Sequence, residues 1–245
     1  MKILIALTLS FALALSLVAC NSSSEAKSSP YTSAVVGGII QLGGYDWREL
    51  DVKDSKALIL SDQILIKKGF HVPHTPVTWE ECSLREYLNE EFYDSTFTAE
   101  EKTWISESRI VNNDNPWFDV AGGNNTTDKV FLLSAEEVSQ YFGDSGQLIN
   151  DRPDEETLEI SKKSTYVQSI ISDEYNGARI AEYKDTGAWW WWLRSPGRDN
   201  RDNGSSQIVR VITNGTIDLN GIYPFEAPWG YDYHGGVRPA LWLKI

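Results

Sequence analysis

Four consecutive tryptophans, Trp189-Trp190-Trp191-Trp192, run directly into Leu193-Arg194-Ser195-Pro196-Gly197. So bulky and apolar a run reads as a strand, ended by the Pro-Gly pair. Successive strand side chains point to opposite faces, so two indoles go each way. If one pair packs on the core, the other is either exposed or covered by a loop. The rest of the chain offers the material for such a core, with 10 Trp, 11 Tyr and 8 Phe among 245 residues. Each aromatic buries a large area, which matters in a chain with only two cysteines, Cys20 and Cys82.

The first twenty residues carry a second constraint. Lys2 supplies a positive charge, residues 3–18 run apolar except for Thr8, Ser10 and Ser16, and small Ala19 precedes Cys20. That order reads as a secretory signal. A membrane-spanning anchor is disfavoured, because the run is near the lower limit for a span and no cluster of charges follows it. Leu17-Val18-Ala19-Cys20 resembles the lipobox of bacterial lipoproteins. The resemblance implies a diacylglyceryl group on the Cys20 thiol and cleavage that leaves Cys20 as the N-terminus. Two or more acyl chains, at about 0.8 kcal/mol per buried CH₂, hold a protein stably at a membrane. The expected organisation is a signal peptide over residues 1–19, a lipidated N-terminus with a Ser-rich flexible linker over 20–33, and one domain over 34–245. The expected location is extracytoplasmic, lipid-anchored in the cell envelope, at an outer membrane or cell surface. With Cys20 lipidated, Cys82 has no internal disulfide partner and reads as a small core residue in an amphipathic helix.

The formal charge of −13 leaves no electrostatic footprint for nucleic acid. It also keeps the domain off anionic membrane surfaces except where the lipid pins it. The partners expected are therefore the membrane, through the lipid, and an extracellular protein or glycan.

Alternation marks strands at residues 39–43, 45–50 and 57–61, with Lys53-Asp54-Ser55-Lys56 as a turn, which together read as an antiparallel meander. Thr78-Trp79-Glu80-Glu81, Thr98-Ala99-Glu100-Glu101 and Ser134-Ala135-Glu136-Glu137 share capping-box spacing, predicting a helix behind each. Their glutamates read as capping groups, not catalytic ones. Val130-Phe131-Leu132-Leu133 reads as a short buried strand. Residues 112–127 and 144–161 are polar, lack periodicity and read as long loops. Asn214-Gly215 between two β runs is a strong hairpin signal. Residues 237–243 make a closing strand in which Pro239 suggests an edge or a bulge.

Five motifs recur together: Gly44-Tyr45-Asp46-Trp47-Arg48, the Trp79-to-Asn89 run, Asp128-Lys129-Val130-Phe131-Leu132-Leu133-Ser134, the Trp191-to-Gly197 run, and Gly235-Gly236-Val237-Arg238-Pro239-Ala240-Leu241. The set resembles an uncharacterised bacterial domain family common in exported proteins, over residues 37–245. That family in turn resembles a C-type-lectin-like fold of the formylglycine-generating-enzyme type, shared with the variable proteins of diversity-generating retroelements. The resemblance implies an α+β fold with short antiparallel sheets, two or three helices and long loops, and a binding surface near the C-terminus. In the retroelement relatives the variable positions lie just before the C-terminus, where Tyr231-Asp232-Tyr233-His234 is a compatible set.

A fold of this type hosts enzymes and binders alike. Formylglycine-generating enzymes use a pair of cysteines, and here only Cys82 is available. Sulfoxide-synthase relatives use a histidine cluster on iron, whereas this chain has His71, His74 and His234. No Gly-x-Ser-x-Gly elbow or phosphate-binding glycine loop is present. Asp199-Asn200-Arg201-Asp202-Asn203-Gly204 partly mimics a calcium loop, but Arg201 takes a ligand position and no closing Glu follows. The oxygen-rich Asn112-Asn113-Asp114-Asn115 and Asn124-Asn125 read more simply as turn residues. No cofactor is expected; calcium stays open.

A non-catalytic ligand-binding module is the function expected. The candidate ligand contacts are Arg198, Asp199, Asn200, Asp202 and Asn203 after the Trp strand, and Tyr223, Phe225, Trp229, Tyr231, Asp232, Tyr233 and His234 before the last strand. Aromatics on a loop give rigid contact area at low entropic cost and stack on sugar rings. The alternative is that Phe225, Trp229 and Tyr231 fold back as lids on the core. Trp190, Trp192, Arg194 and Arg238 read as structural, the arginines as buried organisers bonded to loop carbonyls or carboxylates. The alternatives to a binding module are an enzyme of unrecognised type on the same scaffold and a structural part of a cell-envelope complex.

Overall fold

Strands Ile39–Leu42 (β1), Tyr45–Lys53 (β2) and Lys56–Ser61 (β3) form the antiparallel meander that alternation predicts. Asp54 and Ser55 close the β2–β3 turn with φ of 50° and 56°, the left-handed pair that a tight hairpin requires. A bulge breaks the alternation inside β2. Glu49 faces Ile59 and Asp51 faces Leu58, so Leu50 is the extra residue, and both Glu49 and Leu50 are buried.

The computed structural model describes residues 30–31, 35–73, 75–163, 169–200, 205–224 and 234–245. Its remaining strands are Ile66–Lys68 (β4), Ile105–Ser106 (β5), Ser108–Ile110 (β6), Thr126–Asp128 (β7), Ile170–Ile171 (β8), Ala181–Glu182 (β9), Ala188–Trp189 (β10), Trp191–Asn200 (β11), Ser205–Val211 (β12), Ile217–Ile222 (β13), Gly235–Val237 (β14) and Ala240–Lys244 (β15). They form a five-stranded sheet in the order β1-β2-β3-β15-β5, a six-stranded sheet in the order β4-β14-β11-β12-β13-β8, and two small pairs, β9 with β10 and β6 with β7. Pairing is antiparallel except between β11 and β14, where Trp191 faces Gly236. Short helices lie between the strands, and the fold is α+β. Among the described residues no helix is long and apolar enough to cross a membrane.

The closing strand is two strands. β14 pairs with β4 and β11, whereas β15 pairs with β3 and β5. Arg238-Pro239 is therefore a crossing from one sheet to the other rather than an edge or a bulge. Pro239 donates nothing to either ladder, and its carbonyl accepts from Ser61 N at 2.9 Å.

The Trp strand also departs from expectation, because β11 does not end at Pro196-Gly197 but continues to Asn200. Its pairing with β12 shifts register on both sides of Pro196, which absorbs the missing N–H. Gly197 passes so close to β13 that a Cβ there would lie 2.3 Å from Asn220 O.

Two of the three capping boxes form. Thr98 and Glu101 cap Ala99–Trp104 (α3) reciprocally, and Ser134 and Glu137 do the same for Ala135–Phe142 (α4). Thr78 makes no side-chain cap, and behind it lies only a 3₁₀ turn, Trp79–Glu81. The helix Ser83–Tyr87 (α1) starts after Cys82, whose Sγ accepts from Arg85 N at 3.4 Å. Cys82 is thus a buried cap rather than an interior helix residue, and burial pushes its thiol up to about 12. From α1 the chain continues through a wider π turn, Leu88–Phe92, into Tyr93–Thr96 (α2).

Helices also occur where only a loop was expected, at Gln147–Asn150 (α5) and Glu155–Lys163 (α6). Val130 to Leu133 is buried as predicted, but only Phe131 bridges to a strand, at Ala240. The last helix, Asn176–Arg179 (α7), is a single turn.

Removing the Thr98 hydroxyl takes away both the cap on Glu101 N (3.2 Å) and a tie to Glu101 Oε2 (2.9 Å). Thr98→Ala is expected to cost about 1 kcal/mol in a urea titration. Thr78→Ala, which breaks no cap, is expected to cost under about 0.5 kcal/mol. Equal losses for the two variants would contradict this assignment.

Candidate functional site

The Trp run is not one strand: Trp191 and Trp192 open β11 at the centre of the six-stranded sheet, Trp189 ends β10 in the small β9–β10 pair, and Trp190 lies between the two. Trp191 and Trp192 are fully buried, whereas Trp189 and Trp190 are half-buried. Trp192 packs edge-on against Phe70 (5.6 Å) and Trp190 (4.7 Å), and its Nε1 donates to Lys68 O at 2.9 Å. Trp191 donates to Arg179 O at 3.1 Å. Cations cover the two outer rings, with Lys67 Nζ 3.4 Å from the Trp189 ring centre and the Arg210 guanidinium 5.3 Å from that of Trp190.

Arg194 ties this strand to the helical side. Its two terminal nitrogens fork onto both Glu137 oxygens, and they also donate to Leu132 O (2.7 Å) and Val111 O (3.1 Å). Glu137 therefore serves twice, as the α4 capping-box acid and as the counter-ion of Arg194. Arg238, at the crossing between the sheets, donates from Nε to Ser61 O (3.2 Å) and from Nη2 to Asp62 O (3.0 Å).

A residue that sequence reasoning grouped with the oxygen-rich loops has a specific task. Asn115 is buried, and its Oδ1 accepts from Trp117 N and Phe118 N while its Nδ2 donates to Pro196 O (2.7 Å) and Leu219 O (3.2 Å). It locks the 111–125 loop onto β11 and β13. The signal available for it is the Asn115-Pro116 pair, a turn initiator.

The remaining oxygen-rich candidates are likewise engaged in turns. Asp114 Oδ1 accepts from Gly122 N, Asn125 Oδ1 accepts from Asn112 N, and Asn124 donates to Glu80. Among the described residues no three His, Cys, Asp or Glu side chains are grouped to hold a metal. His71 spends both ring nitrogens within the fold, Nδ1 accepting from Ser83 N and Nε2 lying 3.2 Å from Thr75 Oγ1. Burial, only partly opposed by Glu81, lowers its pKa, which suits a neutral ring. His74 lies outside the described residues.

The strands that lead toward the two expected ligand surfaces end on the same side of the six-stranded sheet: β11 and β13 both run antiparallel to β12, so their C-terminal ends lie together. Arg198 is half-buried on β11, and Asp199 and Asn200 continue that strand opposite Ser206 and Ser205. Tyr223 and His234, both half-buried, flank the aromatic segment. Its two ends rest on one spot: a Cβ on Gly69 would lie 4.0 Å from both Pro224 O and His234 Cδ2. His71 N donates to Pro224 O at 2.8 Å, which fixes the first end. No sequence signal pointed to residues 69–71 as the clamp. Cys20, Asp202, Asn203, Phe225, Trp229, Tyr231, Asp232 and Tyr233 lie outside the described residues.

The model of a family described as a domain of unknown function (DUF6273) matches residues 54–245, somewhat less than the span over which the motifs suggest a family. The match begins in the β2–β3 turn, so β1 and β2 precede it. No curated protein and no solved structure matches the chain.

Proposed function

The chain belongs to the DUF6273 family, and on that footing we propose that it is a lipid-anchored, non-catalytic ligand-binding module of the cell envelope, with a C-type-lectin-like architecture and a protein or glycan as ligand. The clamp at residues 69–71 carries this reading. A chain segment rich in Tyr, Trp and Phe joins Pro224 to His234, and these two residues come together beside Gly69, Pro224 O accepting from His71 N. Residues between two chain positions that meet on a rigid body are where functional side chains concentrate. The hairpin carrying Arg198, Asp199 and Asn200 opens at the same end of the sheet and widens the surface.

The lipid anchor rests on the Leu17-Val18-Ala19-Cys20 resemblance. The non-catalytic reading rests on what the nucleophile and base candidates do. The Cys82 thiol is buried and held protonated, and His71 is committed to local bonds.

The test is a glycan and protein-ligand array probed with the full chain, with and without chelator, followed by two variants. Trp229→Ala and Tyr231→Ala are expected to abolish binding while leaving the thermal transition within a few degrees of the parent. A collapsed transition would make these rings core lids and move the site elsewhere.

A further inference from the structure

Three arginines are buried among the described residues, and they differ in one respect. Arg179 pairs with Asp173 at 2.6 Å, and Arg194 forks onto Glu137. Arg238 is only 2% exposed, yet its bonds run solely to the neutral carbonyls of Ser61 and Asp62, and its Nη1 has no partner. Its guanidinium lies 4.8 Å from the Trp191 ring centre and 5.8 Å from that of Phe142. The aromatic faces and the crossing between the sheets fix its position. The Asp62 carboxylate attracts it only from beyond ion-pair distance and is itself engaged by Arg48. A buried cation without a bonded counter-ion is costly, by several kcal/mol in general, and an anion that bonds it recovers part of that.

Arg238 forms part of the wall of a cleft of about 400 Å³, in the size range of small-molecule sites. Arg48 stands on the same wall, more than a third exposed, and spends only Nε and Nη2 on Asp62 Oδ1 (3.0 and 2.6 Å). Leu50, Phe142 and Ile180 supply apolar surface. The cleft thus combines a buried guanidinium without a bonded counter-ion, a second guanidinium with a nitrogen to spare, and an apolar body.

We propose that this cleft binds a small monocarboxylate, its carboxylate taking the counter-ion position at Arg238 with Arg48 as a second donor and its apolar part against Phe142 and Ile180. Each guanidinium keeps only Nη1 uncommitted, and a planar two-oxygen group can accept from one donor at each oxygen. Glu49 and Asp62 also line the cleft, and they favour a single negative charge over a dianion such as phosphate. Burial lowers the pKa of Arg238 to about 10, so the group is still charged at neutral pH. The cleft shares no residue with the 223–234 segment, so this inference stands or falls independently of the binding loop.

The experiment is calorimetric titration of the full-length chain in detergent with sodium benzoate, alongside sodium chloride and sodium phosphate at matched ionic strength. Saturable binding of benzoate alone is expected, together with a rise in the thermal transition. Arg48→Gln, at a partly exposed position, is expected to weaken benzoate binding about tenfold while leaving the ligand-free thermal transition within a few degrees of the parent. Arg238→Lys adds a second reading if it folds. The proposal is overturned if benzoate acts no differently from chloride, if phosphate binds as well as benzoate, or if Arg48→Gln binds like the parent.

Discussion

Arg194→Ala is expected to destabilise the domain by about 3 kcal/mol, measured as a shift of the denaturation midpoint at constant slope. The side chain is 4% exposed and bonds two backbone carbonyls and one carboxylate. Its loss strands the Leu132 carbonyl in a fully buried position, frees Val111 O at the start of the 111–125 loop, and leaves Glu137 without its cation. The Glu137 side chain is 28% exposed, so water takes up part of its charge, which puts the cost at the lower end for a broken buried pair. Arg194→Lys keeps the charge but cannot reproduce a fork and two carbonyl bonds, and it is expected to recover less than half of the loss. In a double-mutant cycle with Glu137→Gln, the coupling is expected to exceed about 1 kcal/mol. Additive effects would mean that Arg194 acts by filling space alone.

What could be read from the sequence divides by the distance over which each feature is decided. The Asn214-Gly215 hairpin and the Thr98 and Ser134 caps are settled within four residues, and they formed as read. Thr78 has the same spacing but sits in different company. There the Trp79 indole donates to Asp128 at 2.9 Å and Glu80 accepts from Asn124, so tertiary partners hold the first turn while the Thr78–Glu81 box does not form. Pro196-Gly197 carries a terminator signal, yet the strand passes through because Asn115, 81 residues earlier in the chain, takes up Pro196 O. Pro239 is visibly unsuited to a ladder, but that it separates two sheets depends on β14 finding β4 and β15 finding β3. The candidate site divides in the same way. Its aromatic content is visible in the chain, whereas the meeting of Pro224 and His234 beside Gly69 and the unpartnered Nη1 of Arg238 are properties of neighbours brought together only by folding.

Trp192→Ala is expected to have the largest effect of any single change considered, a loss of about 3–5 kcal/mol. Trp192 is wholly buried at the centre of the six-stranded sheet, where Phe70 and Trp190 meet it edge-on. The space cannot close readily. Phe70 is held in turn by Trp79, and Gly235 already lies so near that a Cβ there would meet Trp192 Nε1 at 2.4 Å. Since a domain has only about 5–15 kcal/mol in hand, such a loss brings the fold to the edge of stability at 37 °C. Trp192→Phe separates packing from bonding. It keeps much of the aromatic contact but removes the donor to Lys68 O, at an expected cost of about 1–2 kcal/mol. Lys68 is followed directly by Gly69, beside which Pro224 and His234 lie. Trp192→Phe is therefore expected to weaken ligand binding more than its modest effect on stability implies. If binding is unchanged in a variant that folds, the contact of residues 69–71 with Pro224 and His234 does not depend on this indole.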